Sequence, residues 1–294
     1  MSDQKKYAFV GNRGYILQEM IHKGLDIVAV WVMEDSFLHN TLMREKYIDY
    51  KVIKTKEQLV ESIENTDFDV LISNGCKYIL PISRIKMAVY INIHPSYLPD
   101  LKGKDPINGA VLFGRDCGAT CHVMDDGIDT GKIISREKIE ISDDIDAALL
   151  FQLAFQAEVM AFNKAYEKKF APFVRQPEVE NCIYYSTQPS DRLIDFNKGF
   201  DNIIRQVRAF GYKSKGLYFK CNGKNYRFSH ASEITNPFVR KQIDGFRERI
   251  VYMTFEDSIV FKLNGRIMRF DGIENITHRI KTDDYLENGD VQLD

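Results

Sequence analysis

The chain is short of nearly everything that marks a specialised class of protein. Of its 294 residues five are cysteine, eight proline, six histidine and one tryptophan, and 40 Lys and Arg against 42 Asp and Glu leave a net charge of −2. Cys76, Cys117, Cys121, Cys182 and Cys221 form no CxxC pair, and an odd number is a poor disulfide framework. Cys117 and Cys121, with His122 beside them, supply too few ligands for zinc, so no metal is expected. No apolar run approaches the roughly 18 residues of a membrane span. Met1-Ser-Asp-Gln-Lys-Lys6 leads into a strand-like segment without the apolar core of a secretory leader. The expectation is a reduced, cytoplasmic protein with no membrane partner. Charge balance also argues against a nucleic-acid partner, which usually demands a positive excess. What is present is an ordinary soluble composition, 44% apolar and 28% charged, long enough for one large domain or two smaller ones.

Tyr7–Val10, Ile27–Val32, Val70–Ile72 and Val89–Ile93 are short apolar runs separated by helical stretches such as Gly14–Lys23 and Lys56–Asn65. Strands alternating with helices at this spacing predict an α/β fold, a doubly wound, mostly parallel sheet with helices on both faces. Thr120–Val123 and Lys132–Ser135 read as further strands around an Asp-Asp-Gly-Ile-Asp turn. Asp146–Lys168 reads as a long amphipathic helix capped from Ser142-Asp-Asp. Phe170–Pro177 reads as a linker, which divides the chain into 1–180, a catalytic domain, and 181–294, a smaller β-rich domain. In the second, Ile183–Tyr185, Leu217–Cys221, Tyr226–Phe228, Ile250–Thr254, Ser258–Lys262 and Ile267–Asp271 are strand-like. Turns such as Cys221-Asn-Gly-Lys224 join them, and only Asp201–Phe210 is clearly helical.

Asn92 and His94 sit two apart at the end of the run Met87–His94, so in a strand they project from one face, with Pro95 ending the ladder. A carboxamide donor beside an imidazole suits acyl transfer: one group steadies a developing oxyanion while the other moves a proton. A purely structural polar pair is the alternative. Downstream come Pro95-Ser-Tyr-Leu-Pro99, Lys102-Gly-Lys-Asp-Pro106-Ile and Asp125-Asp-Gly127-Ile-Asp129-Thr-Gly131-Lys-Ile-Ile134. This ordered set resembles the folate-dependent formyltransferases, whose hallmarks are Asn-x-His-x-Ser, a Leu-Pro…Gly…Pro-Ile loop and Asp-x-Gly-x-Asp-x-Gly-x-x-Ile. The likeness is strong over 70–140. It is looser over 181–230, which is similar to the C-terminal barrel of the methionyl-tRNA and related formyltransferases.

The resemblance implies a Rossmann-like catalytic domain followed by an OB-like barrel. It also implies transfer of formyl from N10-formyltetrahydrofolate to an amine, without a metal. Asn92 would be the oxyanion donor and His94 the general base or a second oxyanion partner. Asp129 would pair with His94, raise its pKa and hold a relaying water; on its own residues, Asp129 reads instead as a turn carboxylate capping local amides. Gly127 and Gly131 are expected where the backbone needs positive φ or must approach a ligand closely. By family position Gly75, Cys76, Lys77, Tyr78 and Ile79, with Asp125 and Gly127, form the pterin wall. Asn12 and Arg13, in a Gly11-Asn-Arg-Gly14 loop that is no dinucleotide fingerprint, would face the acceptor with Ser96, while Tyr97, Lys102 and Lys104 read equally as lining the same cleft or as a solvated loop face. Arg13 offers a fork suited to a diphosphate. The tRNA enzymes share a basic insertion where Glu34–Tyr50 is charge-mixed here, and the glycinamide ribonucleotide enzymes normally lack a second domain. Arg13 and the Pro95-Ser-Tyr-Leu-Pro-Asp100 segment resemble the sugar N-formyltransferases, which implies as acceptor a dTDP-linked amino sugar of bacterial surface-polysaccharide (O-antigen, lipopolysaccharide) synthesis. 4-Amino-4,6-dideoxyglucose stands ahead of a 3-amino-3,6-dideoxyhexose, methionyl-tRNA is the alternative, and the enzyme is expected to be a homodimer.

Overall fold

Alternating apolar runs and amphipathic stretches become β1 Lys6–Gly11, α1 Tyr15–His22, β2 Asp26–Met33, α2 Phe37–Glu45, β3 Lys51–Ile53, α3 Lys56–Glu64, β4 Val70–Asn74, β5 Val89–His94, α4 Pro106–Phe113, β6 Cys117–Val123, β7 Ile133–Ile139 and α5 Ala147–Glu167. This is a computed structural model that describes residues 5–171, 173–274 and 279–290; Met1–Gln4 and Pro172, which the sequence reading used, lie outside them. Two compact units emerge. One holds the chain up to Ile107 with Asp116–Glu140 and Phe151–Tyr185, and the other holds Asn108–Arg115, Ile141–Leu150 and the described residues from Ser186 on.

The first unit carries a seven-stranded sheet ordered β3-β2-β1-β4-β5-β6-β7. Pairing is parallel through β5, after which β6 and β7 run antiparallel. β6 and β7 are antiparallel because a turn joins them rather than a helical crossover, whereas β6 comes back antiparallel to β5 after the segment that carries α4. Period-two alternation covers both faces. Tyr7 and Phe9 pack with Ile16, Leu17 and Met20 of α1 and Phe162 of α5, while Ala8 and Val10 pack with Leu59 and Ile63 of α3. Ser36 and Thr55 cap α2 and α3, each hydroxyl accepting the amide of the residue three further on, His39 and Gln58. Strand order reverses between β1 and β4, and a crevice forms beyond the carboxyl ends of strands at such a switch point.

The second unit adds α6 Phe200–Phe210, β8 Leu217–Cys221, β9 Lys224–Phe228, β10 His230–Glu233, α7 Pro237–Ile243, β11 Val251–Phe255, β12 Ser258–Leu263, β13 Arg266–Asp271 and β14 Leu286–Glu287. Its antiparallel sheets, β10-β13-β12-β11 and β14-β8-β9, are stitched by single bridges at Ile250–Tyr285 and Arg227–Glu274. Asn222-Gly223 and Asn264-Gly265 turn the hairpins in left-handed backbone, as Asn-Gly pairs favour. Ile183–Tyr185 is corrected: it is no strand, since its only pairing is an isolated bridge from Tyr184 to the loop residue Lys102. The helix expected near Asp201 is joined by α7, whose Asn236 side chain accepts the amides of Phe238 and Val239. Among the described residues no helix is long and apolar enough to cross a membrane.

Aromatic rings fill this second core. Phe270, fully buried, stacks on Phe228 at 4.0 Å between centroids and meets Phe261 edge-on at 4.9 Å. Phe270→Ala should cost about 3–5 kcal/mol in denaturant unfolding. A loss below about 1 kcal/mol would mean that the rings are not the core they form here.

Candidate active site

Asn92 and His94 end β5, and the turn between β6 and β7 brings Asp129 against both. Asn92 Nδ2 donates to Asp129 Oδ1 at 3.3 Å, and His94 Nδ1 lies 3.6 Å from Asp129 Oδ2. The Gly103 amide donates to the same Oδ2 at 3.0 Å. Asp129 takes φ +53°, a left-handed conformation uncommon for a side-chain-bearing residue and characteristic of functional turns. The glycines around it do not carry the positive φ expected of them. Gly131 is there for close approach, since a Cβ would run into the Val123 carbonyl, and one at Gly127 would strike Thr130. Asp125 tightens the turn by accepting from Gly127 N and Thr130 Oγ1. The stretch read as a linker braces it: Gln176 Nε2 donates to both the Asp129 and the Gly131 carbonyls at 2.8 Å.

Hydrogen bonds set the two imidazoles in opposite senses. His94 donates from Nε2 to the Leu101 carbonyl at 3.1 Å, so its basic nitrogen is Nδ1, facing Asp129. His122 donates from Nδ1 to the Val123 carbonyl at 3.0 Å and turns Nε2 toward Asn92 Nδ2, 3.2 Å away. Burial depresses the basicity of His94 more than the Asp129 charge and the Leu101 hydrogen bond raise it, so the ring is neutral. The expected upward shift is thereby corrected in sign: the carboxylate pulls as foreseen, but desolvation outweighs it. Burial also pushes the Asp129 carboxyl up. There the imidazoles of His94 and His122 and the Gly103 amide pull harder, and hold it well below the usual carboxylate range.

These groups open into a cleft of about 560 Å³ in the first unit. Gly75, Cys76, Lys77, Tyr78 and Ile79 line it, as do Asp125 and Gly127, and Leu80 and Met124 complete an apolar wall. Gly75 has φ +76°, and a Cβ there would collide with Asn12 and Arg13. Asn12 and Arg13 also line the cleft, but the Arg13 fork is not free: Nη2 donates to buried Glu158 at 2.5 Å, and the guanidinium lies 5.2 Å over the Phe155 ring. Ser96, Tyr97 and Lys102 do not line the cleft. The buried Ser96 hydroxyl donates to the Asp100 carbonyl, Arg136 covers the Tyr97 ring at 4.3 Å, and the Lys102 backbone pairs with Ile183 and Tyr185. Lys104, expected there, does line it, and Asp105, Phe151 and Tyr184 join it. His122, Gln176 and Glu158 were not foreseen. Only His122 had a signal, lying opposite Asn92 once β5 and β6 are aligned. No group of three His, Cys, Asp or Glu side chains among the described residues could hold a metal ion.

Comparison with known proteins came to the same region. The sequence family described as Formyl transferase matches residues 26–165, and that described as Formyl transferase, C-terminal domain, matches 187–275. A methionyl-tRNA formyltransferase of Campylobacter curvus is 24% identical over 260 residues, 81% of this chain and 85% of that one. WlaRD, a sugar 3N-formyl transferase solved with dTDP and 5-N-formyl-THF, superposes with TM-score 0.68 at 21% identity, covering 92% of this chain and 98% of that one. A 4-N formyltransferase from Francisella tularensis gives TM-score 0.64 at 25% identity, over 76% of this chain and 95% of that one.

Depressed basicity at His94 makes stability depend on pH. Below the ordinary histidine value of 6.5 the unfolded chain binds a proton that the folded His94 refuses, so stability falls as pH drops through that region. Denaturant unfolding between pH 7 and 5 should show this decline, and His94→Asn should flatten it. An unchanged slope in the variant would assign the decline to other groups.

Proposed function

The chain belongs to the formyl transferase family, and on that premise we propose that it formylates the amine of a dTDP-linked amino-dideoxyhexose. Formyl transfer is the family's reaction, and the acceptor is our reading. N10-formyltetrahydrofolate would supply the formyl carbon, its planar pterin fitting the apolar wall of Ile79, Leu80 and Met124 beside the Gly75–Tyr78 backbone. His94 takes at Nδ1 the proton that the attacking amine sheds as its new C–N bond forms. Asp129 then faces an imidazolium instead of a neutral ring. The same proton is available to the nitrogen that departs as the old C–N bond breaks, so the exchange balances. Asn92 presents its N–H to the oxygen on which charge develops. The observation that carries this reading is geometric: His94 gives Nε2 to the Leu101 carbonyl at 3.1 Å and turns Nδ1 to Asp129, 3.6 Å away.

Three features favour a sugar acceptor. Asn12 Oδ1 and Arg13 Nε are buried without partners among the described residues, an acceptor and a donor that a hydroxyl group could satisfy together. The segment where tRNA enzymes carry a basic insertion, Glu34–Tyr50, is charge-mixed here and contains α2, whose Arg44 donates from Nε to the Asn40 carbonyl. The solved proteins it superposes on include 3-N and 4-N sugar formyltransferases; the 4-amino-4,6-dideoxyglucose acceptor remains our choice between them. Methionyl-tRNA is the second reading, favoured by the Campylobacter relative. Incubation with N10-formyltetrahydrofolate and either acceptor separates the two: tetrahydrofolate should be released with the dTDP-amino sugar, and release only with charged initiator tRNA would overturn the assignment.

Within that reaction, His94→Ala should lower kcat about 10²–10⁴-fold and Asn92→Ala about 10²–10³-fold. The acid limb of kcat/KM should lie below pH 6.5, and Asp129→Asn should move it lower still by removing the charge that favours protonated His94. A limb at or above the ordinary histidine value would rule out His94 as the base in this environment.

A further inference from the structure

His122 has no part in the reaction as derived above, yet it is 3% exposed at the side chain and touches Asn92 and the carboxylate together. Across the antiparallel β5–β6 ladder it is registered directly opposite Asn92, which places both side chains on one face. Its Nδ1 is 3.0 Å from the Val123 carbonyl, the same carbonyl that Gly131 approaches by lacking a Cβ. A carbonyl there demands a proton on Nδ1, and in the neutral ring that leaves Nε2 bare. Nε2 and Asp129 Oδ1 are then two acceptors 3.6 Å apart, and the Asn92 amide nitrogen lies between them, 3.2 Å from one and 3.3 Å from the other. Only a nitrogen with two hydrogens satisfies both. An Asn92 turned the other way would set its oxygen against a carboxylate and a lone pair.

We propose that His122 is a positioning residue: its Nε2 anchors one hydrogen of the Asn92 carboxamide, so that the other alternates between Asp129 and the oxygen of the formyl group. The inference rests on the formyl-transfer reading for what the second hydrogen does, though not for the anchoring itself. In the resting arrangement both Asn92 hydrogens are engaged, one by His122 and one by Asp129. When His94 accepts the amine's proton at Nδ1, that new N–H points at Asp129 and competes for its charge. Asn92 is released from the carboxylate as negative charge appears on the formyl oxygen. One proton has moved, from the amine to His94, and no other group has changed its protonation. His122 keeps the amide from rotating while this happens.

Histidine-selective ¹⁵N NMR on the wild-type protein without ligands tests the anchoring: the His122 signal should show a protonated Nδ1 and a bare Nε2. Kinetics on His122→Phe and His122→Gln test its use. The Phe variant, which has no acceptor, should lose about 10–100-fold in kcat with KM nearly unchanged, and Gln, whose side-chain oxygen can accept, should recover most of it. A proton on Nε2, or equal kcat values in the two variants, overturns the proposal. The spectrum needs no substrate, so a wrong acceptor assignment leaves it standing.

Discussion

A carboxylate kept ionised at 10% side-chain exposure is the constraint around which the first unit's chemistry is organised. Desolvation works against the charge of Asp129, which is met by two donors, the Gly103 amide at Oδ2 and the Asn92 amide at Oδ1, with the rings of His94 and His122 each 3.6 Å away. Three stretches of backbone place these four groups. Asn92 and His94 come from the end of β5, His122 from β6 and Gly103 from the loop after β5. The charge and the neighbouring neutral base depend on one another. Sealing the site keeps His94 unprotonated, and the buried anion keeps a place ready for the proton when it comes.

Holding an anion this way requires a turn of unusual shape. Asp129 occupies left-handed backbone between a glycine that must stay bare to clear the Val123 carbonyl and a segment tied down by Gln176. Left-handed backbone is strained for a residue with a side chain, and the surrounding bonds over-determine it. The antiparallel edge of the sheet serves the same end, because a hairpin can place a turn beside the tip of β5.

Much of this was legible in the chain. Period-two alternation ending at a proline put Asn92 and His94 on one face, and the spacing of Asp125, Gly127, Asp129 and Gly131 marked a turn with close backbone approach. The alternation of runs and helices anticipated the parallel strands. What could not be read needed register between strands distant in sequence. His122 becomes Asn92's neighbour only when β6 is known to run antiparallel to β5, and Gln176 only when a stretch resembling a linker folds back onto the turn. Ser96, Tyr97 and Lys102 show the converse: a loop motif names residues without saying which side of the loop each occupies. Glu158 sits on a helix whose apolar pattern gave no hint that a carboxylate would be buried against Arg13. The sign of the His94 shift required knowing how deeply the ring is sealed, which is a property of packing.

The pairing of Arg13 with Glu158 bears on how the cleft senses its surroundings. A guanidinium held against a solvent-free carboxylate is screened by dissolved ions far less than a surface pair. Lys77 and Lys104, on exposed stems at the cleft, have no such shelter, and their reach toward an approaching anion shrinks to about 10 Å in 0.1 M salt. Recruitment of the charged acceptor proposed above would thereby be left to groups that the medium can mute, while the Arg13–Glu158 wall of the cleft is insulated from the medium.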